Sequence, residues 1–190
     1  MSKVLDIIRN EHRSIRIVLD GLIYLAHNAR SGGSAVDARV FRALLHYLET
    51  YAERLHHPKE DQYLFSAMRQ YGQRAEQVVA DLEREHASGE RSLRDLDHFL
   101  ARCEEDGAKA LPVFAKAVED FVHGYLLHMK KEEEVVFPLA LELLGPADWA
   151  VIDRAFEENR DPLAGTRETD DLKQVLNRIV KLAIAPGGNA

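Results

Sequence analysis

Apolar residues recur at alternating spacings of three and four along four long segments of the chain. These segments run over residues 4–29, 37–71, 74–102 and 111–144, each end placed to within a few residues. Such spacing lines up apolar side chains along one stripe of an α-helix. No segment sustains the period-two alternation that would predict a strand. The pattern therefore predicts an all-α protein built as an up-down four-helix bundle.

The hydrophobic pattern becomes shorter after Gly145 and Pro146, a pair of residues that ends helices. One short amphipathic segment follows directly, and another lies close to the C-terminus. We expect residues 1–145 to form the bundle. We expect residues 146–190 to form a short C-terminal helical extension packed on the bundle, not a second domain.

Several polar residues occupy positions of the apolar stripes, where they would be buried. They are His12, His86, His128 and Glu132, with His56 and Glu60 on the equivalent face of the second segment. A buried polar group costs about 1–3 kcal/mol unless it finds a partner. A single such histidine is usually a core side chain bonded to a neighbour. Six together predict a shared metal ion as the partner.

The chain contains one pattern twice. The first copy includes His56 and Glu60, and the second includes His128 and Glu132. Residues 56–65 and 128–137 both read His-x-x-Lys-Glu-acid-x-x-aliphatic-Phe. A His and a Glu four residues apart project from one face of a helix. Two such helices that face each other bring two imidazoles and two carboxylates to one interior site. This is the ligand arrangement of a dinuclear iron centre in a helical bundle.

Composition limits the metal and the partners. Cys103 is the only cysteine, which excludes a disulfide framework and a cysteine-ligated cluster, so His and carboxylate ligands leave iron, manganese or zinc. With 25 basic and 32 acidic residues the formal net charge is −7, which argues against nucleic acid or an anionic membrane as a partner. The sequence contains neither a signal peptide nor a run that could span a bilayer, so we expect a cytoplasmic protein. A homodimer formed through outer helix faces stays possible.

The involvement of three further residues stays open. His57 points about 100° away from His56 on an ideal helix, but a kink or bulge at Pro58 could bring it inward. Glu90 follows His86 by four residues, and His123 precedes His128 by five. The remaining histidines lie beside the stripes and are predicted to be exposed or half-buried: His27, His46 and His98.

The segments HHPKED, HMKKEEEVVFPLA and EREHASGE resemble signature segments of the hemerythrin-like family, also called the HHE cation-binding domain. The resemblance covers roughly residues 2–144. It implies a non-haem di-iron centre with two oxo- or hydroxo-bridged ions per chain. By this analogy Glu60 and Glu132 bridge the ions, and the histidines divide into two pairs, His12 with His56 and His86 with His128.

At one position this chain has a different residue from the oxygen carriers of that family. They have a second histidine four residues after the third-helix ligand, where this chain has Glu90. A sphere richer in carboxylate favours redox chemistry over clean release of oxygen. We therefore expect a protein that senses or handles oxygen, nitric oxide or peroxide, with a small diatomic ligand or peroxide as its partner. The alternatives are a di-iron enzyme (peroxidase, catalase-like or ferroxidase) and iron storage or delivery.

Overall fold

The computed structural model describes residues 3–32, 37–157, 161–166 and 172–184, and within these ranges all regular structure is helical. The first bundle helix is Lys3–Arg30 and the third is Gln73–Asp106. The second occupies residues 38–69 and the fourth residues 111–143. The all-α prediction is confirmed, with helix ends close to those expected. Residues 1–2 and 185–190, which the domain prediction included, lie outside the described residues.

The second and fourth bundle helices are not regular α-helices along their whole length. The second consists of Ala38–Tyr47 (α), Leu48–His56 (π), His57–Lys59 (α), Glu60–Phe65 (π) and Ser66–Arg69 (α). The fourth consists of Leu111–Lys131 (α), Glu132–Val136 (π) and Phe137–Leu143 (α). Two π-helical segments, Glu60–Phe65 and Glu132–Val136, fall within the two copies of the repeated pattern, and Leu48–His56 ends at the first residue of the first copy.

Pro58 explains the irregular geometry of the second helix. Proline lacks an N–H, so the carbonyl of Arg54 cannot receive its usual bond from the residue four positions ahead. The N–H of His57 instead bonds the carbonyl of Ala52, five residues earlier, which is the π pattern. The bulge expected at Pro58 is therefore confirmed.

The four bundle helices surround an interior that contains two apolar clusters with a polar layer between them. The first bundle helix packs against the second and the fourth, and the third also packs against both. One cluster contains Leu5 and Ile8, and the other contains Ile15 and Leu19. His12 lies between these pairs in the sequence, on the same helix. The first bundle helix therefore contributes a buried histidine to the polar layer.

The helices of the C-terminal part pack on opposite ends of the bundle. Pro146–Glu157 places Ile152 and Phe156 in the cluster around Leu5, and Asp153 accepts a hydrogen bond of 2.9 Å from the Val4 N–H. Leu172–Ile184 places Val175 and Ile179 in the other cluster. The boundary at residue 145 stays a prediction. Within the described residues, no helix combines the length and apolar character needed to cross a membrane.

Candidate metal centre

The polar layer collects buried side chains from all four bundle helices. The first helix contributes His12, the second His56, His57 and Glu60, the third His86, and the fourth His128 and Glu132. Glu60 and Glu132 are completely shielded from solvent. The structure thus brings together all six residues that the sequence singled out, and it adds His57.

The two carboxylates lie in the middle of the histidines. Glu132 lies 3.2 Å from His12 Nε2, 3.8 Å from His86 Nε2 and 3.4 Å from His128 Nε2. Glu60 lies 4.0, 3.6 and 3.8 Å from the Nε2 atoms of His12, His56 and His86. Each carboxylate therefore reaches histidines of both predicted pairs.

Three overlapping groups of donor atoms have the spacing that a metal ion needs. In each group the three donor atoms lie within 4.8 Å of one another. The groups are His12, His56 and Glu60; Glu60, His86 and Glu132; and His57, His86 and His128. Every predicted ligand belongs to at least one of them, and Glu60 and His86 each belong to two.

Buried atoms that lack a hydrogen bond concentrate at this site. Among the described residues they are His12 Nε2, both carboxylate oxygens of Glu60, both of Glu132, and Glu53 Oε1. His12 Nε2 and Glu132 Oε2 are near each other, but their geometry is not that of a hydrogen bond. Buried polar groups are rarely left without a partner. A cation at the centre would satisfy all of these atoms except that of Glu53.

In each of the five buried histidines, the Nδ1 atom also forms a hydrogen bond with a carboxylate outside the central group. The pairs are His12–Glu133 at 2.8 Å, His56–Glu11 at 2.7 Å, His57–Glu53 at 3.1 Å, His86–Asp61 at 2.9 Å and His128–Glu85 at 3.0 Å. A carboxylate acceptor places the imidazole proton on Nδ1 and leaves the Nε2 lone pair free. This carboxylate–histidine arrangement is typical of metal-bound histidines.

The free Nε2 lone pairs come closest to each other at His86 and His128. Their Nε2 atoms are 3.1 Å apart. When both rings donate through Nδ1, both Nε2 atoms present lone pairs, which repel at this separation unless a proton or a metal ion lies between them. The pair therefore has a strong electrostatic requirement for a positive charge.

The pKa values in the metal-free chain reflect the same requirement. Burial alone would lower the pKa of His12 and His86, but neighbouring carboxylates outweigh it and raise both to about 9. Burial and the adjacent Glu132 hold the pKa of Glu60 well above its usual value. Burial opposes ionisation of Glu132 too, but His128, His12 and His86 hold its pKa well below the usual value. Without metal, protons supply the positive charge that the interior needs.

His57 is buried next to His56, although the two side chains would point about 100° apart on an ideal α-helix. The π-helical turns on both sides of Pro58 change the rotation between successive residues, so both rings enter the polar layer. The Nε2 atom of His57 lies 3.0 Å from the Tyr125 hydroxyl. Burial, followed by the nearby histidines, holds its pKa well below the usual value.

The sequence also left open whether Glu90 and His123 take part in metal binding, and both lie away from the candidate metal centre. Glu90 is exposed and forms an ion pair with Arg94 at 2.6 Å, and His123 is exposed. His27 and His98 are exposed and His46 is half-buried, as predicted.

Glu11 was missed by the sequence reasoning. It is buried and accepts hydrogen bonds from His56 Nδ1 and, at 2.8 Å, from the Tyr51 hydroxyl. A signal was available, because Glu11 follows Ile8 by three residues and precedes Ile15 by four. It therefore lies on the buried stripe itself.

A comparison with protein families agrees with this geometry. The family model described as the Hemerythrin HHE cation binding domain matches residues 3–140. Comparisons with curated proteins and with solved structures gave no match. The match covers most of the chain, so the chain belongs to the hemerythrin HHE cation-binding family, and its buried His and Glu clusters are able to hold metal.

Proposed function

We propose that the polar layer binds two iron ions and that the protein senses or handles oxygen, nitric oxide or peroxide through them. In this proposal Glu60 and Glu132 would bridge the two ions, and an oxo or hydroxo group would form a further bridge. His12 and His56 hold one ion, and His86 and His128 hold the other.

The observation that carries the proposal is the convergence of unsatisfied donors on one buried point. Four carboxylate oxygens and His12 Nε2 lack a hydrogen bond there, while the Nδ1 atoms around them are held by carboxylates. The donors are imidazole and carboxylate, which suits iron more than calcium or a thiolate-seeking metal. The central position of the carboxylates between two histidine pairs supports two ions.

Bound iron would supply redox chemistry and an open coordination position for a small ligand. The protein supplies a buried site with oriented ligands. On the His128 side, the Tyr125 hydroxyl and the His57 imidazole form a hydrogen-bonded pair, with Glu53 behind it. These groups can form hydrogen bonds, as donor or as acceptor, with a molecule that enters the site.

The test is stopped-flow absorption spectroscopy of the anaerobically reduced, iron-loaded chain after mixing with oxygen, nitric oxide or hydrogen peroxide. We expect a saturable spectral change with at least one of them. A Glu132→Gln variant should lose the change together with its iron, whereas Glu134→Gln, at an exposed position on the same helix, should keep both. An iron-loaded protein that reacts with none of the three ligands would contradict the proposal.

The pair of Tyr125 and His57 also supports a second candidate, a di-iron enzyme that consumes peroxide. Peroxide turnover requires groups that hold and move protons beside the metal, and the chain Glu53–His57–Tyr125 has the required hydrogen bonds. Sustained turnover that disappears in a Glu132→Ala variant would favour the enzyme. A single spectral change without turnover would favour a sensor.

A further inference from the structure

A cleft of about 430 Å³ opens between the third and fourth bundle helices and reaches the candidate metal centre. Buried residues form its inner end: His57, His86, His128 and Tyr125. Exposed residues, among them Ser88, Asp95 and Asp120, form its mouth. The volume lies in the range of pockets that bind organic molecules, roughly 300–1,000 Å³. A diatomic ligand alone would need far less space.

Two glycines on the cleft wall have no structural role that explains them. Gly89 and Gly124 lie inside α-helices and do not have positive φ angles. A Cβ atom added at Gly124 would meet nothing within 4 Å, and one added at Gly89 would make only an ordinary 3.8 Å contact with Glu53. Glycine is unfavourable inside a helix. Alanine would therefore suit the fold better at both positions.

Gly21 provides the contrast, since it is the remaining α-helical glycine of the described residues. Its added Cβ would lie 3.2 Å from Leu176, so close packing of helices accounts for it. Gly89 and Gly124 share only their position on the cleft. Their missing side chains leave space for a molecule directly beside the histidines.

The lining of the cleft indicates what kind of molecule fits. Leu96, Phe99 and Phe121 give it an apolar wall. Among the described residues that line it there is no Lys or Arg, and Asp120 at its mouth is paired with Lys116, so the wall outside the histidines offers mainly apolar contacts to an organic group. At the inner end the Tyr125 hydroxyl bonds to His57 and is able to form one more hydrogen bond.

We propose that this cleft binds an uncharged organic hydroperoxide. Its alkyl group lies on the wall of Leu96, Phe99 and Phe121, and its hydroperoxide group reaches Tyr125 and the histidines. Gly89 and Gly124 keep the passage open. The proposal rests on the proposed function, because such a molecule would be brought there to meet the metal, but binding itself is measurable without redox chemistry.

The test uses methyl NMR spectra of the whole chain loaded with zinc, which is diamagnetic and redox-inert, with the metal-free chain measured alongside. The methyl groups of Ala117 and Leu96 report on the cleft, and that of Ala26, in the core, is the control. The two probes are tert-butyl hydroperoxide and tert-butyl methyl ether. They share the same hydrocarbon group, but the ether has no O–H to donate to the Tyr125 hydroxyl oxygen.

We expect saturable shifts of Ala117 and Leu96 with the hydroperoxide, and binding of the ether that is weaker by about fivefold or more, because it cannot make the hydrogen bond to Tyr125. Gly124→Leu should weaken hydroperoxide binding by about tenfold or more, because the new side chain fills the passage. Ala87→Leu introduces the same side chain at an exposed position of the neighbouring helix and should leave binding unchanged. Gly124→Leu should melt no lower than the natural chain, because leucine favours a helix more than glycine does and an added Cβ meets nothing within 4 Å.

Equal binding of the two probes would overturn the proposal, and this comparison requires no variant. Hydroperoxide binding that survives in a folded Gly124→Leu protein would also overturn it. A failure of the cleft proposal can be distinguished from a failure of the proposed function. A cleft that binds the hydroperoxide in a chain unable to hold iron would contradict only the proposed function, and an iron-loaded chain without these shifts would contradict only the cleft.

Discussion

At the scale of single residues, each buried histidine of the site is oriented by a carboxylate that is not among the six predicted ligands. Glu11 holds His56 in this way, and Glu133 holds His12. These partners select the tautomer and restrict rotation of the ring. An imidazole that is oriented in advance binds metal more tightly than a free one.

Removing one such partner should weaken metal binding without touching a ligand. We predict that Glu11→Ala lowers the affinity for iron by about 10–100-fold, because His56 loses the acceptor at its Nδ1 atom. Competition with a chelator measures the change. Tyr51→Phe is the matched control, since it removes the Tyr51 hydroxyl that bonds Glu11, keeps the bond from Glu11 to His56, and should change affinity much less. Equal affinities in the natural chain and Glu11→Ala would contradict this role.

Metal uptake should release protons near neutral pH. The pKa values of His12 and His86 in the metal-free chain are about 9, so both imidazoles are protonated at pH 7 and must lose a proton before they bind metal. Metal affinity should therefore rise with pH up to about 9 and then level off. Calorimetric titrations in buffers of different ionisation enthalpy count the protons. An affinity that stays constant between pH 7 and 9 would be inconsistent with these pKa values.

At the scale of secondary-structure elements, the π-helical segments position the ligands. Leu48–His56 ends two residues before Pro58, and Glu132–Val136 ends two residues before Pro138. In the fourth helix the N–H of Phe137 bonds the carbonyl of Glu132, five residues earlier. Both prolines thus accompany a local change in helical register beside a buried glutamate.

Pro58→Ala should separate stability from metal binding. The alanine restores an N–H for the carbonyl of Arg54, so the helix can become regular and the metal-free chain should melt higher. The same change turns His57 and Glu60 away from their positions, so iron affinity should fall by roughly tenfold.

Thermal unfolding and chelator competition on the same preparation measure both effects. Pro112→Ala, at the start of the fourth helix, is the control and should leave metal affinity unchanged. A Pro58→Ala chain that binds iron as tightly as the natural chain would show that the π geometry is not required.

The sequence was sufficient for the helices and for the convergence of the six predicted residues in one buried layer, but not for contacts that depend on helix rotation. Gly72 and the pair Gly145–Pro146 interrupt the apolar pattern, and the helices indeed end beside them. The inward position of His57 could not be read from an ideal helix. Its contact with Glu53 depends on the local π geometry, and its contact with Tyr125 on how two helices are rotated against each other.

At the scale of the whole molecule, the polar layer divides the hydrophobic interior into two clusters. Each unsatisfied buried atom in this layer disfavours folding of the metal-free chain. A metal ion that binds only the folded chain stabilises it by about 4 kcal/mol when its free concentration is a thousandfold above the dissociation constant. The bundle should therefore depend on metal for much of its stability.

Removal of iron should lower the melting temperature by roughly 10 °C. Circular dichroism melts of the iron-loaded chain and of the same sample after chelation measure the difference. A third sample, chelated and then reloaded, shows whether the loss is reversible. Identical midpoints with and without metal would argue against ligands buried in the core.

The central claim is that the buried His and Glu residues hold two iron ions, and metal content tests it most directly. Mass spectrometry gives the metals per chain in untagged protein purified in air, and an absorption spectrum of the same sample reports on their state. We predict about two irons per chain with oxo-to-iron charge-transfer bands, as a di-iron bundle site requires. A chain without metal, or with a single tightly held zinc, would contradict the di-iron centre and the oxygen chemistry proposed for it.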